Sequence, residues 1–440
     1  MIIRPLFITE MNRYTLEECF LEYKQVLNFI HDKEKLGSVF GLEAINELLF
    51  RLGNPQKGIK AIHIAGTNGK GSIMAFIESA LCEAGYRVGR YISPTIFDYR
   101  ERWQLNKKWA SEDEVSKVMT IISDVVSQMI NDGYNSPTAF EIETAAAFYM
   151  FRDWNVDYML IECGMGGRLD ATNVIEEDVL NILASISLDH MQVLGDNVAD
   201  ITKEKLGIVR KGSELVTYPQ IDEVSEVIKD YASDNEVELY KPDVNEIKIL
   251  EEDIHGSKFS YKQDEFRICM GGQYQILNAV TAIEALKTLS IDIHFIKKGL
   301  EKTRWDGRYQ VINENPVVIV DGAHNEDAWL RLRDSLEKDF DRQKIVFITG
   351  VLADKEYDKM LEILVPLTDM VYTVQSTSPR ALPKEKLAEL YKSKNIKAVP
   401  MNTVTDALKE AVKQQSVIVV CGSLTIMGEA IRYFDKADGE

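Results

Sequence analysis

Residues 59–81 read "IKAIHIAGTNGKGSIMAFIESAL". An apolar run of strand type stops at Gly66, a loop of small and polar residues follows to Ser72, and an amphipathic helix pattern begins. Strand, glycine loop and helix in this order restrict the fold to one in which a strand end presents a ring of backbone N–H groups at a helix N-terminus. A full phosphate loop reads G-x-x-x-x-G-K-[ST]. Here Gly66 stands only four residues before Lys70, and the hydroxyl of Ser72 comes after Gly71, so the loop is a variant. Gly66, Thr67, Asn68, Gly69, Lys70, Gly71 and Ser72 are expected to cradle a nucleotide phosphate, helped by the positive end of the helix dipole. The plainer alternative is a glycine turn carrying a surface lysine.

The rest of the chain supports an α/β fold. Helical patterns occupy residues 15–30 and 41–53, before the first strand. "KAIHIAG", "RVGRYIS", "DYMLIEC" and "NILASIS" are strand-like runs separated by amphipathic helices. Runs apolar on both faces predict a mostly parallel sheet covered by helices on both sides. Between Val237 and Met270 short strands predict a small antiparallel subsheet. After a helix over 275–289, a second alternating series runs through "PVVIVDGAHN", "KIVFITG", "MVYTVQS", "IKAVP" and "SVIVVCGS". The boundary is placed near Lys302, giving domains 1–302 and 303–440 that face each other across a cleft.

Composition excludes several functions. A net charge of −19 argues against a nucleic-acid surface, which needs a basic face. No run approaches the ~18 apolar residues of a membrane span, and the N-terminus lacks a signal peptide, so the expected location is the cytoplasm. Five cysteines, at 19, 82, 163, 269 and 421, form no C-x-x-C pair. Neither a disulfide framework nor a zinc site is indicated.

The loop string "GTNGKGS", with "NPQ" at 54–56, resembles the folylpolyglutamate synthase and dihydrofolate synthase family of the Mur-ligase superfamily. The likeness continues in order through "YISP" (91–94), "ERW" (101–103), "TAFEIETAAAF" (138–148) and "IECGMGGRLDATN" (161–173). It then runs through "SLDHMQVLGD" (187–196), "KEKLGIV" (203–209), "YQILNA" (274–279) and "WDGR" (305–308). "DGAHN" (321–325), "SPRALP" (378–383) and "CGSLTIMGEA" (421–430) complete it. So many motifs, spanning both domains, make the resemblance specific. It implies a P-loop-type ATPase domain followed by a Rossmann-like glutamate-ligase domain. The implied activity is ATP-dependent addition of L-glutamate to tetrahydrofolate polyglutamates, and also to dihydropteroate, through an acyl phosphate.

ATP-driven amide formation must convert a carboxylate, a poor electrophile, into an acyl phosphate that an amine attacks. That needs positioned phosphates and cations to neutralise them. Glu162 ends a buried strand where its carboxylate can reach a magnesium beside the loop, and Asp189-His190 follows a second buried strand into the same crevice. The resemblance implies that Ser93 and Glu162 hold one magnesium, that His190 holds a second, and that Lys205 is carbamylated and helps to hold it. It also implies ATP contacts by Asn278, Arg308 and Asp321. His324 and Ser423 then lie around the acyl phosphate and incoming glutamate. Catalytic roles fall to Lys70, His190, Lys205, His324 and Ser423.

The resemblance also implies a pterin pocket at Thr138, Phe140 and Glu141 and at Leu169, Asp170 and Ala171, where Phe140 can stack on the ring and Asp170 can hydrogen-bond it. Phe140 could equally be core. A monovalent cation such as K+ and a monomeric state are further expectations. Thr95, Tyr274 and Thr425 depart from the family pattern, in which relatives often carry His, His and Tyr; they bear on the exact substrate. Two other readings compete. A Mur-type ligase acting on a cell-wall precursor is disfavoured by the short segment before the loop, and a non-catalytic ATP-binding scaffold is disfavoured by the intact metal set.

Overall fold

The computed structural model describes residues 20–35, 37, 41–176, 178–341 and 343–435. The two expected N-terminal helices span Tyr23–Glu34 and Glu43–Arg51. Residues 15–19 of the first expectation, Cys19 included, lie outside the described residues.

The first unit is built on β1 (Lys60–Ala65), β2 (Val88–Tyr91), β3 (Trp103–Leu105), β4 (Lys108–Trp109), β5 (Tyr158–Glu162), β6 (Asp178–Leu183), β7 (Glu214–Thr217) and β8 (Glu238–Tyr240). Among the described residues they form one sheet of order β4-β3-β2-β5-β1-β6-β7-β8. From β2 to β8 all neighbours run parallel, and only β3 and β4 are antiparallel additions. Parallel strands end on the same edge of the sheet. The residues that follow β1, β2, β5 and β6 therefore meet there, and such an edge is where open α/β sheets bind ligands.

The helix that follows the glycine loop, Lys70–Glu83, is more buried than its amphipathic pattern predicts. Every residue from Ser72 to Leu81 is buried. One face packs on the sheet, while helices Tyr274–Thr288 and Ile293–Lys302 cover the other, Gly299 lying directly on the Ala80 backbone. Periodicity reports the first covering and is blind to the second. Fully burying residues such as Ile73, Phe76, Ile77 and Leu81 contributes roughly 2 kcal/mol each, which anchors the start of this helix. The one buried carboxylate, Glu78, is neutralised by Arg90.

The expected subsheet is present: β9 (Ile247–Asp253), β10 (Gly256–Tyr261) and β11 (Asp264–Ile268) pair antiparallel in the order β11-β10-β9. The second unit contains β12 (Gln310–Glu314), β13 (Val317–Asp321), β14 (Val346–Thr349), β15 (Met370–Thr373), β16 (Lys397–Pro400) and β17 (Ile418–Cys421). The order is β12-β13-β17-β14-β15-β16, parallel apart from β12. The five strands read from the sequence are β13 to β17. The antiparallel edge strand β12 was not legible, because "QVINE" lacks a continuous apolar run. Its two faces carry separate cores, one around Trp329 and Phe347 and the other around Ile348 and Met427.

Candidate active site

At the end of β1 the chain turns through Gly66, at φ 149°, and Gly69, at φ 89°. A Cβ on Gly66 would lie 2.6 Å from that of Ala184, and one on Gly69 would lie 2.6 Å from Asn278 Oδ1. Both positions require glycine for conformation and for space. The Thr67 and Asn68 N–H groups donate to the Ser185 carbonyl at 2.7 and 3.1 Å, so the loop is stitched to the end of β6. The amides left for a phosphate are those at the first turn of the helix, Gly69 to Ser72, which lack intrahelical acceptors. Of the seven residues expected to form the cradle, all line one cleft.

The chemistry-bearing side chains gather on that loop. Lys70 Nζ donates to the Gly66 and Thr67 carbonyls at 3.1 and 3.4 Å and lies 3.7 Å from Glu162 Oε1. The Ser93 N–H reaches Glu162 Oε2 at 3.4 Å. Burial pushes the Glu162 carboxyl up, and Lys70 opposes the shift. Lys205, on the helix Val198–Leu206, is 5% exposed, and its Nζ donates to the same Gly66 carbonyl at 3.1 Å. Two lysine side chains thus share one carbonyl, and Glu162 lies beside that of Lys70. Burial first, and Lys70 second, bring the Lys205 pKa down to about 7. Lys203 points elsewhere, exposed and 3.8 Å from Asp200.

His190 takes a left-handed conformation, φ 52° and ψ 35°, and its N–H donates to the Asp189 carboxylate at 2.8 Å. Burial lowers its pKa despite Asp189, which favours the neutral ring that a metal requires. Among the described residues no three His, Cys, Asp or Glu side chains cluster as a metal cage. That sparse set fits magnesium, which keeps waters and takes one or two protein ligands plus substrate phosphates.

The second unit closes the cleft. Asn68 and Asn325 exchange side-chain amide hydrogen bonds at 3.1 Å in both directions, and Asn68 Nδ2 also reaches Asp327 at 2.8 Å. Asp189 accepts from Lys355 at 2.5 Å and from Asn325 at 3.1 Å. Arg331 bonds Ser185 and the Tyr218 hydroxyl across the junction. Sequence reasoning missed Asn325, Asp327, Arg331 and Lys355. The N-cap pattern "NED" after β13 was a usable signal for the first two; the others carry none.

Asn278, Arg308, Asp321 and His324 line the same cleft as the loop, Ser93, Glu162, His190 and Lys205. His324 is held near pKa 4, mainly by burial. Its Nδ1 lies 2.8 Å from the Gly322 carbonyl, so Nδ1 carries the proton of the neutral ring and Nε2 is the free acceptor. Ser423 is placed just outside the lining, which includes its neighbour Leu424, and its hydroxyl bonds Thr425 at 3.0 Å.

The residues expected around the pterin sit apart from the cleft lining. Thr138 caps the helix Ala139–Asp153 and shares a capping box with Glu141, whose Oε2 accepts from Thr138 N and Oγ1 at 2.7 and 2.8 Å. Asp170 accepts from the N–H groups of Met165 and Thr172 and from the Thr172 hydroxyl. Both of its oxygens are occupied in bracing the Gly164–Thr172 loop, flanked by half-buried Leu169 and buried Ala171. Phe140 is half-buried, and a Cβ on Gly164 would lie 2.6 Å from its ring, so it lies against the loop that borders the cleft. Asp170→Ala removes the acceptor of the Met165 and Thr172 N–H groups and one of the partners of the Thr172 hydroxyl, which also lies 2.8 Å from His63 Nε2. Chemical denaturation is expected to show a loss of about 2–3 kcal/mol, and a loss below about 0.5 kcal/mol would contradict the bracing role.

Two family descriptions match the chain: "Mur ligase middle domain" over residues 64–286 and "Mur ligase, glutamate ligase domain" over residues 307–424. The dihydrofolate synthase/folylpolyglutamate synthase of Bacillus subtilis (strain 168) is 35% identical over 375 residues, covering 82% of this chain and 87% of that protein. The chain belongs to the dihydrofolate synthase/folylpolyglutamate synthase family of Mur ligases. Solved members superpose on it closely. Mycobacterium tuberculosis folylpolyglutamate synthase complexed with ADP matches with TM-score 0.86 and 28% identity, covering 94% of this chain and 99% of that one. E. coli FolC in complex with DHPP and ADP matches with TM-score 0.83 and 28% identity, covering 94% and 98%. No helix among the described residues is long and apolar enough to cross a membrane.

Proposed function

We propose that this chain is an ATP-dependent ligase that joins L-glutamate to the carboxylate of reduced folates, including their polyglutamates, and of dihydropteroate. The observation that carries the reading is the convergence of Lys70, Ser93, Glu162, His190 and Lys205 on one glycine loop, facing the second unit across a narrow cleft. A scaffold has no need of that set. Residues 1–302 act as the ATP-binding unit and residues 303–440 as the glutamate-ligase unit, in a monomeric cytoplasmic enzyme.

The Gly69–Ser72 amides and Lys70 hold the phosphates, while Asn278, Arg308 and Asp321 hold the rest of the nucleotide. An oxygen of the substrate carboxylate attacks the γ-phosphorus, and ADP leaves with the electrons of the broken bond. Glutamate's neutral amine then attacks the acyl carbon, the C–O bond to phosphate breaks, and the proton the nitrogen gives up leaves on the expelled phosphate. His324, with a pKa near 4, is too weak a base to keep that proton, so its Nε2 orients the amine as a hydrogen-bond acceptor. Ser93 and Glu162 would hold one magnesium, and His190 with carbamylated Lys205 a second; bound magnesium supplies neutralisation of the phosphoryl charge. The docked second unit excludes water, to which an acyl phosphate is vulnerable. The pterin would lie beside Phe140 and the Asp170-braced loop, where Gly164 packs against the Phe140 ring.

Phosphate release that requires ATP, glutamate and dihydropteroate or a reduced folate together tests the proposal. Release independent of any pteroate would overturn it. In the same assay Glu162→Gln, which keeps shape but loses charge, is expected to raise the magnesium needed for half-maximal rate about tenfold or more. An unchanged magnesium titration would remove Glu162 from the metal set.

A further inference from the structure

Tyr274 opens the helix Tyr274–Thr288 of the first unit and lines the cleft, yet the reaction as derived above leaves it without a role. Its hydroxyl donates across the junction to Asp321 Oδ2 at 2.9 Å. Oδ2 also accepts the Tyr309 N–H at 2.8 Å, and Oδ1 accepts the Ala323 N–H at 2.8 Å. These donors come from three segments: the first unit's helix, the residue just before β12, and the loop after β13. A carboxylate offers about four acceptor positions, so three donors leave one for a ligand. Asp321 is 4% exposed, and burial raises its carboxyl pKa while Arg308 and the Tyr274 hydroxyl oppose the rise.

We propose that Tyr274 is a positioning residue for the nucleotide, fixing the Asp321 carboxylate so that a single acceptor position faces an incoming donor and nucleotide affinity depends on docking of the two units. This rests on the assignment of Asp321 to the nucleotide. The two backbone donors belong to the segments flanking Asp321 in its own unit. Only the phenol reports the position of the first unit, where the phosphate loop resides. The ring also packs against the second unit's core, so removing the hydroxyl alone separates positioning from packing.

The test compares the full chain with Tyr274→Phe and Tyr274→His, using calorimetric titration with MgADP, ligase kinetics and thermal unfolding. Loss of a hydrogen bond to a charged acceptor is expected to weaken MgADP binding about fivefold to tenfold in Tyr274→Phe. The kcat at saturating ATP should stay within about twofold, because the hydroxyl does not touch the reacting atoms. Tyr274→His keeps an N–H donor and should recover most of the affinity. MgADP binding unchanged in Tyr274→Phe would overturn the proposal. So would a loss of kcat equal to the loss of affinity, or equal defects in both variants. A parent protein that binds MgADP but ligates no glutamate would overturn the function proposed above, and the calorimetric comparison would still decide the role of Tyr274.

Discussion

Replacing Lys70 by alanine is expected to lower the ligase rate by about 100-fold to 1000-fold, the usual loss when one preorganised charge is removed from a developing anion. The ammonium lies 3.7 Å from Glu162 and is anchored on the Gly66 and Thr67 carbonyls, in the glycine loop proposed to hold the phosphates. At about 4 Å and an effective dielectric of 20, one such charge interacts with another by ~4 kcal/mol. Stability should change far less. The side chain is 16% exposed and the Gly66 carbonyl keeps Lys205 as a donor, so the expected cost is about 1 kcal/mol. Steady-state kinetics and thermal unfolding, measured together, separate the two. Near-normal turnover would remove the phosphate-loop assignment.

Lys205→Ala should be nearly inactive, with a rate reduced by about 100-fold or more, and partly restored by millimolar acetate or propionate. Lys203→Ala should behave as the parent does. The helix Val198–Leu206 directs the two lysines apart: Lys203 lies outside near Asp200, whereas Lys205 is buried against the Gly66 carbonyl beside Lys70. A cation there is disfavoured twice, by burial and by its neighbour. Reaction of the neutral amine with CO₂ replaces it with a carboxylate that can pair with a cation. The amine must be neutral to react, so modification should increase as pH rises through about 7 and fall away below it. Carbon-13 bicarbonate labelling gives a readout independent of activity: a carbamate resonance in the parent and in Lys203→Ala, absent from Lys205→Ala. A parent without that resonance at pH 8, or a fully active Lys205→Ala, would refute the modification.

Much of this site could be read from the chain because it is local. Gly66 and Gly69 announce a turn that side chains cannot make, and Lys70 follows at once. Glu162 ends a buried strand while Ser93 and His190 follow others, and a parallel sheet brings strand ends together whatever the loops between them do. Lys205 came from the resemblance and not from local pattern; two residues of helix turn Lys203 and Lys205 to different sides, and the fold buries Lys205. Asp170 was legible as important but not in kind. Its sequence context suits a ligand contact, and only the folded loop shows that Met165 and Thr172 occupy its oxygens.

The α/β alternation, the glycine loop, the subsheet and the strand ends that meet beside the loop were all legible along the chain. Those features follow from backbone periodicity and from residue types that few conformations accommodate. Tertiary structure alone decided which side chains meet across the junction. Asn68 and Asn325 are 257 residues apart, Asp189 and Lys355 are 166 apart, and Tyr274 and Asp321 are 47 apart. A polar side chain carries its hydrogen-bonding capacity in the sequence but not its partner. The partner is chosen only when two separately packed cores dock and bury both groups, because leaving either unpaired there costs more than most single contacts contribute.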